Sequence, residues 1–442
     1  MTRPFVLTLA ALLIALVAVP AGSGGGQAAA VGATLHVAPD GSDTTGDGSE
    51  AKPWQTIQAA VDAVAPGDTV LVAPGTYTDA VEMYDVAGTA DAPVTFKAGG
   101  EVVIDASGVE RDAVLIAESS YVVWEGFRIE NAPRAGLRVS TSDHVTVEDN
   151  VLAENTTWGL FTDFADDLLI EGNESFGADE EHGIYVSNSG DRPVLRGNAV
   201  HDNAASGIQL NADATMGGDG VITGAVIEGN VITGNGVAGG AALNLDGVEK
   251  STIRNNVISD THASGIALFQ NDGAICSSDN LVQHNTVMVA DDGRWAMTLP
   301  NDGCTGNRVE SNIPFSAEPY RGALSVAPGS QEGLVSDHNV LEDRFTTDDG
   351  ESVLPFAEWQ ALGFDADSIV ADPDELFVDP AAGDLHLKPG SPAIDAGVTI
   401  ADVTTDIDGG PRPQGPRSDA GAYEFSDAVA RAFLRGTGPI GR

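Results

Sequence analysis

The sequence predicts an all-β chain wound into a solenoid, a parallel β-helix, and three observations carry that expectation. The first is a phrase said twice: His182-Gly183-Ile184-Tyr185-Val186 returns 24 positions later as Ser206-Gly207-Ile208-Gln209-Leu210. It belongs to a series of glycines followed by alternating apolar residues, at Gly136, Gly159, Gly183, Gly207, Gly240 and Gly265, with steps of 23, 24, 24, 33 and 25. The second is an apolar-then-Asn mark at Asn150, Asn173, Asn198, Asn230, Asn256, Asn285, Asn312 and Asn339. Self-similarity at such a period means stacked repeats. The third is texture: short alternating segments such as Val145-Thr146-Val147 and Leu168-Leu169-Ile170, split by Gly, Asn and Asp, with no run at helical spacing. One repeat holds about three short strands with their turns, and stacked coils lie about 4.8 Å apart.

The elements follow in order. Residues 1–30 read as a secretory signal: Arg3 supplies the positive region, Phe5–Val19 is apolar, and Ala28-Ala29-Ala30 offers a cleavage site. The β-helix with its N-terminal cap is expected over 31–345. It begins with a strand at 34–38, a helix around Ile57–Val64 and a strand at Thr69–Val72. The stretch "NADATMGGDGVITGA" after Gln209-Leu210 is about eight residues too long for one coil and must leave it as a loop. Beyond 345 the rhythm fades. Residues 346–425 read as an irregular C-terminal cap and 426–442 as a tail. Cys276 and Cys304 are 28 positions apart, close to one repeat, so they are expected to form a disulfide between neighbouring layers of an exported protein.

Composition narrows the partners. Lys+Arg is 21 against 66 Asp+Glu, a formal net charge of −45. That balance excludes nucleic acid and disfavours an anionic membrane surface. No segment after the signal is long and apolar enough to span a bilayer. Nucleotide-binding glycine loops and zinc-ligand spacings are absent, and "DGSDTTGDGS" and "DIDGG" do not complete an EF-hand.

Strand alternation sorts the side chains. With Ile184, Val186, Ile208 and Leu210 inward, Tyr185 and Gln209 point out. Stacking puts Arg138, Phe161, Tyr185 and Gln209 in one outward column. Ser140, Asp163, Ser187, Asn211 and Asn244 are expected beside it, and Ala242 and Asp246 should also be exposed. Trp158, His182, Ser206 and Trp295 share the slot before the strand pair. Rings can cover apolar sugar faces while amides meet hydroxyls, so this is the candidate glycan face. Asp213, Asp246, Asp272 and Asp302 follow their layers' marks at six or seven positions. With Asp219 of the long loop, Asp213 and Asp246 are candidate metal ligands, and Ca²⁺ is the candidate ion. The competing reading is that these aspartates cap turns.

The opening "LHVAPDGSD…GDGSEAKPWQTIQAAVDAVAPGDTVLVAPGTY" and the repeats over about 34–345 resemble the right-handed parallel β-helix superfamily, pectin-lyase-like. It includes secreted polysaccharide lyases, hydrolases and uronate epimerases. The resemblance implies a helix capping the open end of the solenoid, secretion, and a polysaccharide or cell-surface glycan as partner of a monomer. For lyase or epimerase chemistry at C5, His182, Tyr185, Asp163 and Asn211 are the catalytic candidates. Arg138, Trp158, Phe161, Gln209 and Asn244 would bind substrate. Similar lyases use a Lys or Arg base, but Lys52, Lys97, Lys250 and Lys388 fall outside the outward columns. A glycoside hydrolase with paired carboxylates and a non-catalytic glycan-binding protein remain open alternatives.

Overall fold

The computed structural model describes residues 32–426, so the signal segment 1–30 and residues 427–442 of the tail lie outside it. Each coil visits three sheets in turn. One coil runs from 146–148 in a 12-stranded first sheet, to 151–153 in a 10-stranded second sheet, to 158–163 in an 11-stranded third sheet, and back to 169–171 in the first. All three sheets are parallel ladders.

Like residues stack on like. Leu137, Leu160, Ile184, Ile208, Leu243 and Ile266 follow one another inside the third sheet. Val147, Ile170, Leu195, Ile227, Ile253, Val282 and Val309 do so inside the first. All are buried in one continuous core. Both faces of a sheet in such a stack repeat their registers, so a one-residue slip would turn a whole apolar row to solvent.

The eight repeating asparagines form a buried ladder at the corner between the first and second sheets. Each donates from Nδ2 to the Oδ1 of the next, from Asn150 to Asn173 (3.0 Å) through Asn312 to Asn339 (3.2 Å). The residue before each ladder Asn adopts a left-handed conformation, which glycine supplies at Gly172, Gly197 and Gly229. The corner is therefore a one-residue left-handed turn whose buried backbone groups are paired by the next coil's amide.

One coil departs from the expected marks. Ile208 pairs with Leu243 and Gln209 with Asn244, so Ala242, not Gly240, is the small residue aligned with Gly207. Gly240 is a left-handed turn residue just upstream. Asn244 accordingly stands in the Tyr185–Gln209 column, and Asp246 stands beside Asn211. Ala242 and Asp246 are buried rather than exposed. The long loop after Asn211 adds a small ladder in which Ile222–Thr223 pairs with Val248–Glu249.

Helix α1 (Ile57–Val61) is shorter than the expected 57–64. Thr56 caps it by accepting the Ala59 N–H, and Ile57, Ala60 and Val61 enter the core. After residue 345 the chain does two things. Helix α2 (Phe356–Ala361) lays the buried Trp359 on Phe345, with ring centroids 5.0 Å apart. The remainder folds back along the second sheet. Leu376, Phe377, Leu385 and Ala422 gather there with Val257, Ile313 and Phe315. Cys276 and Cys304 are bonded across neighbouring layers, with Cα atoms 4.7 Å apart.

Candidate functional site

The third sheet carries the outward columns. Its central strands are β1 (Ala135–Ser140), β2 (Trp158–Asp163), β3 (Ile184–Ser187), β4 (Ile208–Asn211), β5 (Ala241–Asp246) and β6 (Ser264–Phe269). Arg138, Phe161, Tyr185, Gln209 and Asn244 are successive partners across them, with Ser140, Asp163, Ser187, Asn211 and Asp246 alongside.

These side chains close on one another more than alternation alone suggests. Phe161, Asp163, Gln209 and Asn211 are all under a tenth exposed. Trp158 stacks on Phe161 at 4.4 Å between centroids, and Tyr185 packs against Phe161 at 5.3 Å and edge-on to His182 at 5.1 Å. The guanidiniums of Arg134 and Arg138 lie 5.9 and 5.5 Å from the Phe161 ring. Arg138 is not a free cation: it is paired with Asp163 and lies 4.0 Å from Asp112. Neither Arg138 nor Asp163 is therefore open for the role expected of it. The remaining Asp163 oxygen, Oδ1, is buried without a partner.

The polar centre lies one to two layers on. Asn211 donates to the Tyr185 hydroxyl at 3.1 Å and to Asp272 at 3.3 Å. Gln209 Oε1 accepts from Asn244 Nδ2 at 2.6 Å and from Ser206 Oγ at 3.2 Å. Its Nε2 meets no acceptor among the described residues, so an amide fixed from behind keeps both N–H bonds for a ligand. Burial raises the Tyr185 pKa, with the carboxylates of Glu181, Asp272 and Asp213 adding to the shift, so its phenol stays protonated.

His182 Nδ1 accepts the Ser206 N–H at 3.1 Å, which leaves the ring proton on Nε2, 3.7 Å from Glu181. In that tautomer His182 presents an N–H rather than a lone pair, so it is a donor and not a C5 base. Glu181 also accepts the Trp158 indole N–H at 2.8 Å. The sequence does not point to Glu181, and it points to Asp272 only as a member of the aspartate row. Both come from loops, where strand alternation gives no direction.

Burial pushes the His182 pKa down to about 4 from an ordinary 6.5. The unfolded chain takes up this proton as pH falls through 6.5, while the folded site refuses it until about 4. Folding stability is therefore lost as pH drops across that window, by up to about 3 kcal/mol. Denaturant unfolding of the wild type and His182→Gln at about pH 7 and about pH 4 checks this. The wild type should lose more stability on acidification than the variant, by up to about 3 kcal/mol.

The proposed metal trio does not form a donor set. Both carboxylate oxygens of Asp246 take backbone N–H bonds, from Asn271 (2.9 Å), Asp272 (2.8 Å) and Gly273 (3.2 Å). Asp213 holds the N–H and hydroxyl of Thr215, and Asp219 the N–H of Val221. Among the described residues no three His, Cys, Asp or Glu side chains converge to hold a metal ion. The aspartate row was read from Gly240, and the true register breaks it. Asp246 instead pins the loop that brings Asp272 to Asn211.

Residues 35–178 match the family model of the Pel9A-like, right-handed β-helix region. The solved structure of pectate lyase Pel9A superposes with a TM-score of 0.62 at 16% identity, covering 89% of this chain and 96% of that one. An alginate lyase from Paenibacillus sp. str. FPU-7 superposes with a TM-score of 0.50 at 18% identity, covering 66% of this chain and 97% of that one. The uncharacterized protein YwoF of Bacillus subtilis (strain 168) is 30% identical over 131 residues, a match spanning 26% of this chain and 28% of that relative. From the repeat, the three parallel sheets and these likenesses together, the chain has the fold of a right-handed parallel β-helix, and its residues 35–178 are similar to the Pel9A-like β-helix region.

Proposed function

We propose that this is an exported carbohydrate-active protein. It lays a polysaccharide strand along the outward face of the third sheet and acts on it at Tyr185, as a polysaccharide lyase or uronate epimerase. One observation carries the reading: a phenol kept protonated by burial stands 3.1 Å from the Asn211 amide, one layer from a Gln209 amide with unspent donors. Lyase and epimerase chemistry both make carbanion character beside a carboxylate. Amide donors stabilise that charge, and a protonated phenol can deliver the proton that leaving oxygen or C5 requires. Glu181, 3.7 Å from the His182 Nε2–H, is the carboxylate assigned to receive the C5 proton. The pectate and alginate lyases that share the fold support a polysaccharide as substrate.

A second reading, glycoside hydrolysis, draws on the same centre. Asp272 shares the Asn211 amide with Tyr185, and Glu181 lies 3.7 Å from His182, whose ring meets Tyr185, so two carboxylates flank one candidate subsite.

Incubating the purified protein with polyuronates and neutral polysaccharides separates them. Ultraviolet absorbance of an unsaturated uronate, or altered C5 configuration by NMR, supports the first reading. New reducing ends without that absorbance support the second. Repeating the incubations with added Ca²⁺ and with a chelator tests whether the ion takes part. Absence of any product on the whole panel would refute both readings.

A further inference from the structure

Beyond Asn244 the outward column of the third sheet shrinks to Ala267 and then Thr298. Where the side chains shorten, a cleft of about 410 Å³ opens. Asn244, Ala267 and Thr298 line it together with Trp295, Arg294 and Arg321.

Positive charge is scarce in this chain, with 21 Lys+Arg against 66 Asp+Glu. Several arginines elsewhere spend it on carboxylates: Arg134 on Asp112, Arg138 on Asp163, Arg192 on Asp167, Arg254 on Glu228. Arg294 and Arg321 do not. Neither guanidinium has a carboxylate within ion-pair distance among the described residues. The Arg321 side chain and the Arg294 backbone are nonetheless held in place. Arg321 Nη1 donates to the Asp349 carbonyl at 2.9 Å and lies over Gly350, where a Cβ would stand 2.6 Å from it. The Arg294 backbone is tied on both sides, its N–H to Ala263 O at 2.9 Å and its carbonyl to Ser316 Oγ at 2.7 Å.

The nearby acids form no ion pair with either guanidinium. Asp349 lines the cleft with them. Asp302 takes the Gly329 N–H at 2.6 Å, and Asp348 takes donors from Thr346 and Ser352 at 2.5–2.9 Å. Two unspent guanidiniums in one concave site call for an anion, and a carboxylate matches their planar forks.

We infer that this cleft is a carboxylate-binding subsite for a uronate residue of the bound glycan, three layers or about 14 Å along the strand from the residue at Tyr185. The inference rests on the reading that a glycan occupies the third sheet, and it narrows the substrate to acidic polysaccharides.

Calorimetric titration of the full chain tests it. The probes are oligogalacturonate, oligoalginate and oligoglucuronate, each beside its carboxyl-reduced neutral form, with one sulfated neutral oligosaccharide. The wild type should bind at least one acidic form roughly 10-fold or more tighter than its neutral counterpart. In the double variant Arg294→Gln/Arg321→Gln that preference should vanish while affinity for the neutral form is kept, which also reports an intact fold. If acidic and neutral forms bind alike and Trp158→Ala weakens both, the subsite is overturned and the glycan reading stands. An acidic preference that survives the double variant overturns the subsite too. A sulfated oligosaccharide bound as tightly as the uronate overturns the carboxylate assignment. Binding of no oligosaccharide overturns both inferences.

Discussion

Asn256→Ala is expected to cost about 4 kcal/mol of folding stability. Asn256 is fully buried. Its Oδ1 accepts the Asn230 backbone N–H at 3.0 Å and Asn230 Nδ2 at 2.9 Å. Its Nδ2 donates to Ile227 O at 2.9 Å and to Asn285 Oδ1 at 2.9 Å. Alanine removes all four bonds and leaves the Asn230 N–H buried and unpaired. Such an orphaned group costs about 1–3 kcal/mol. The cavity left by the amide adds to this, because neighbouring coils are fixed by their own ladders and cannot collapse into it. Urea unfolding of the variant checks the value, and a loss below about 1 kcal/mol would show that the ladder is ornamental to stability.

Tyr185→Phe is expected to lower turnover by about 100-fold or more, while affinity for the same oligosaccharide changes by about 3-fold or less. The ring would keep its contacts with Phe161 and Trp158, at 5.3 and 5.8 Å between centroids. What is lost is the hydroxyl that accepts from Asn211 and carries the proton delivered to the substrate. Trp158→Ala should do the reverse and weaken binding more than turnover, because the indole offers surface and its N–H is spent on Glu181. Measuring kcat and Kd separately for both variants distinguishes the two roles. Equal losses in both parameters for Tyr185→Phe would mean that the ring's packing matters and its proton does not.

Much of this arrangement is legible in the chain because a parallel stack turns sequence distance into spatial register. Ile184, Ile208 and their equivalents repeat because the core repeats, and this places Tyr185 over Gln209 without further information. The eight asparagines are legible for the same reason, since each must answer the orphaned backbone of its neighbour. Legibility fails wherever the chain leaves the coil. At Gly240 a turn glycine imitates a layer mark, and the two-residue error moved Asn244 and Asp246 into the wrong rows. Glu181, Asp272 and Arg321 sit on loops whose course depends on contacts with distant coils. The pairing of Arg138 with Asp163 was hidden differently: both columns were readable, but the choice of a diagonal ion pair over solvent depends on the aromatic wall that excludes water around them.

The central claim is that a glycan lies across the third sheet with one residue at Tyr185. A crystal of Tyr185→Phe soaked with the tightest-binding oligosaccharide tests it most directly. Density for the sugar chain should run along the outward column, with one ring beside Trp158 and residue 185 and a polar edge on Gln209 and Asn211. Sugar density on the first or second sheet, with the third sheet bare, would contradict the account.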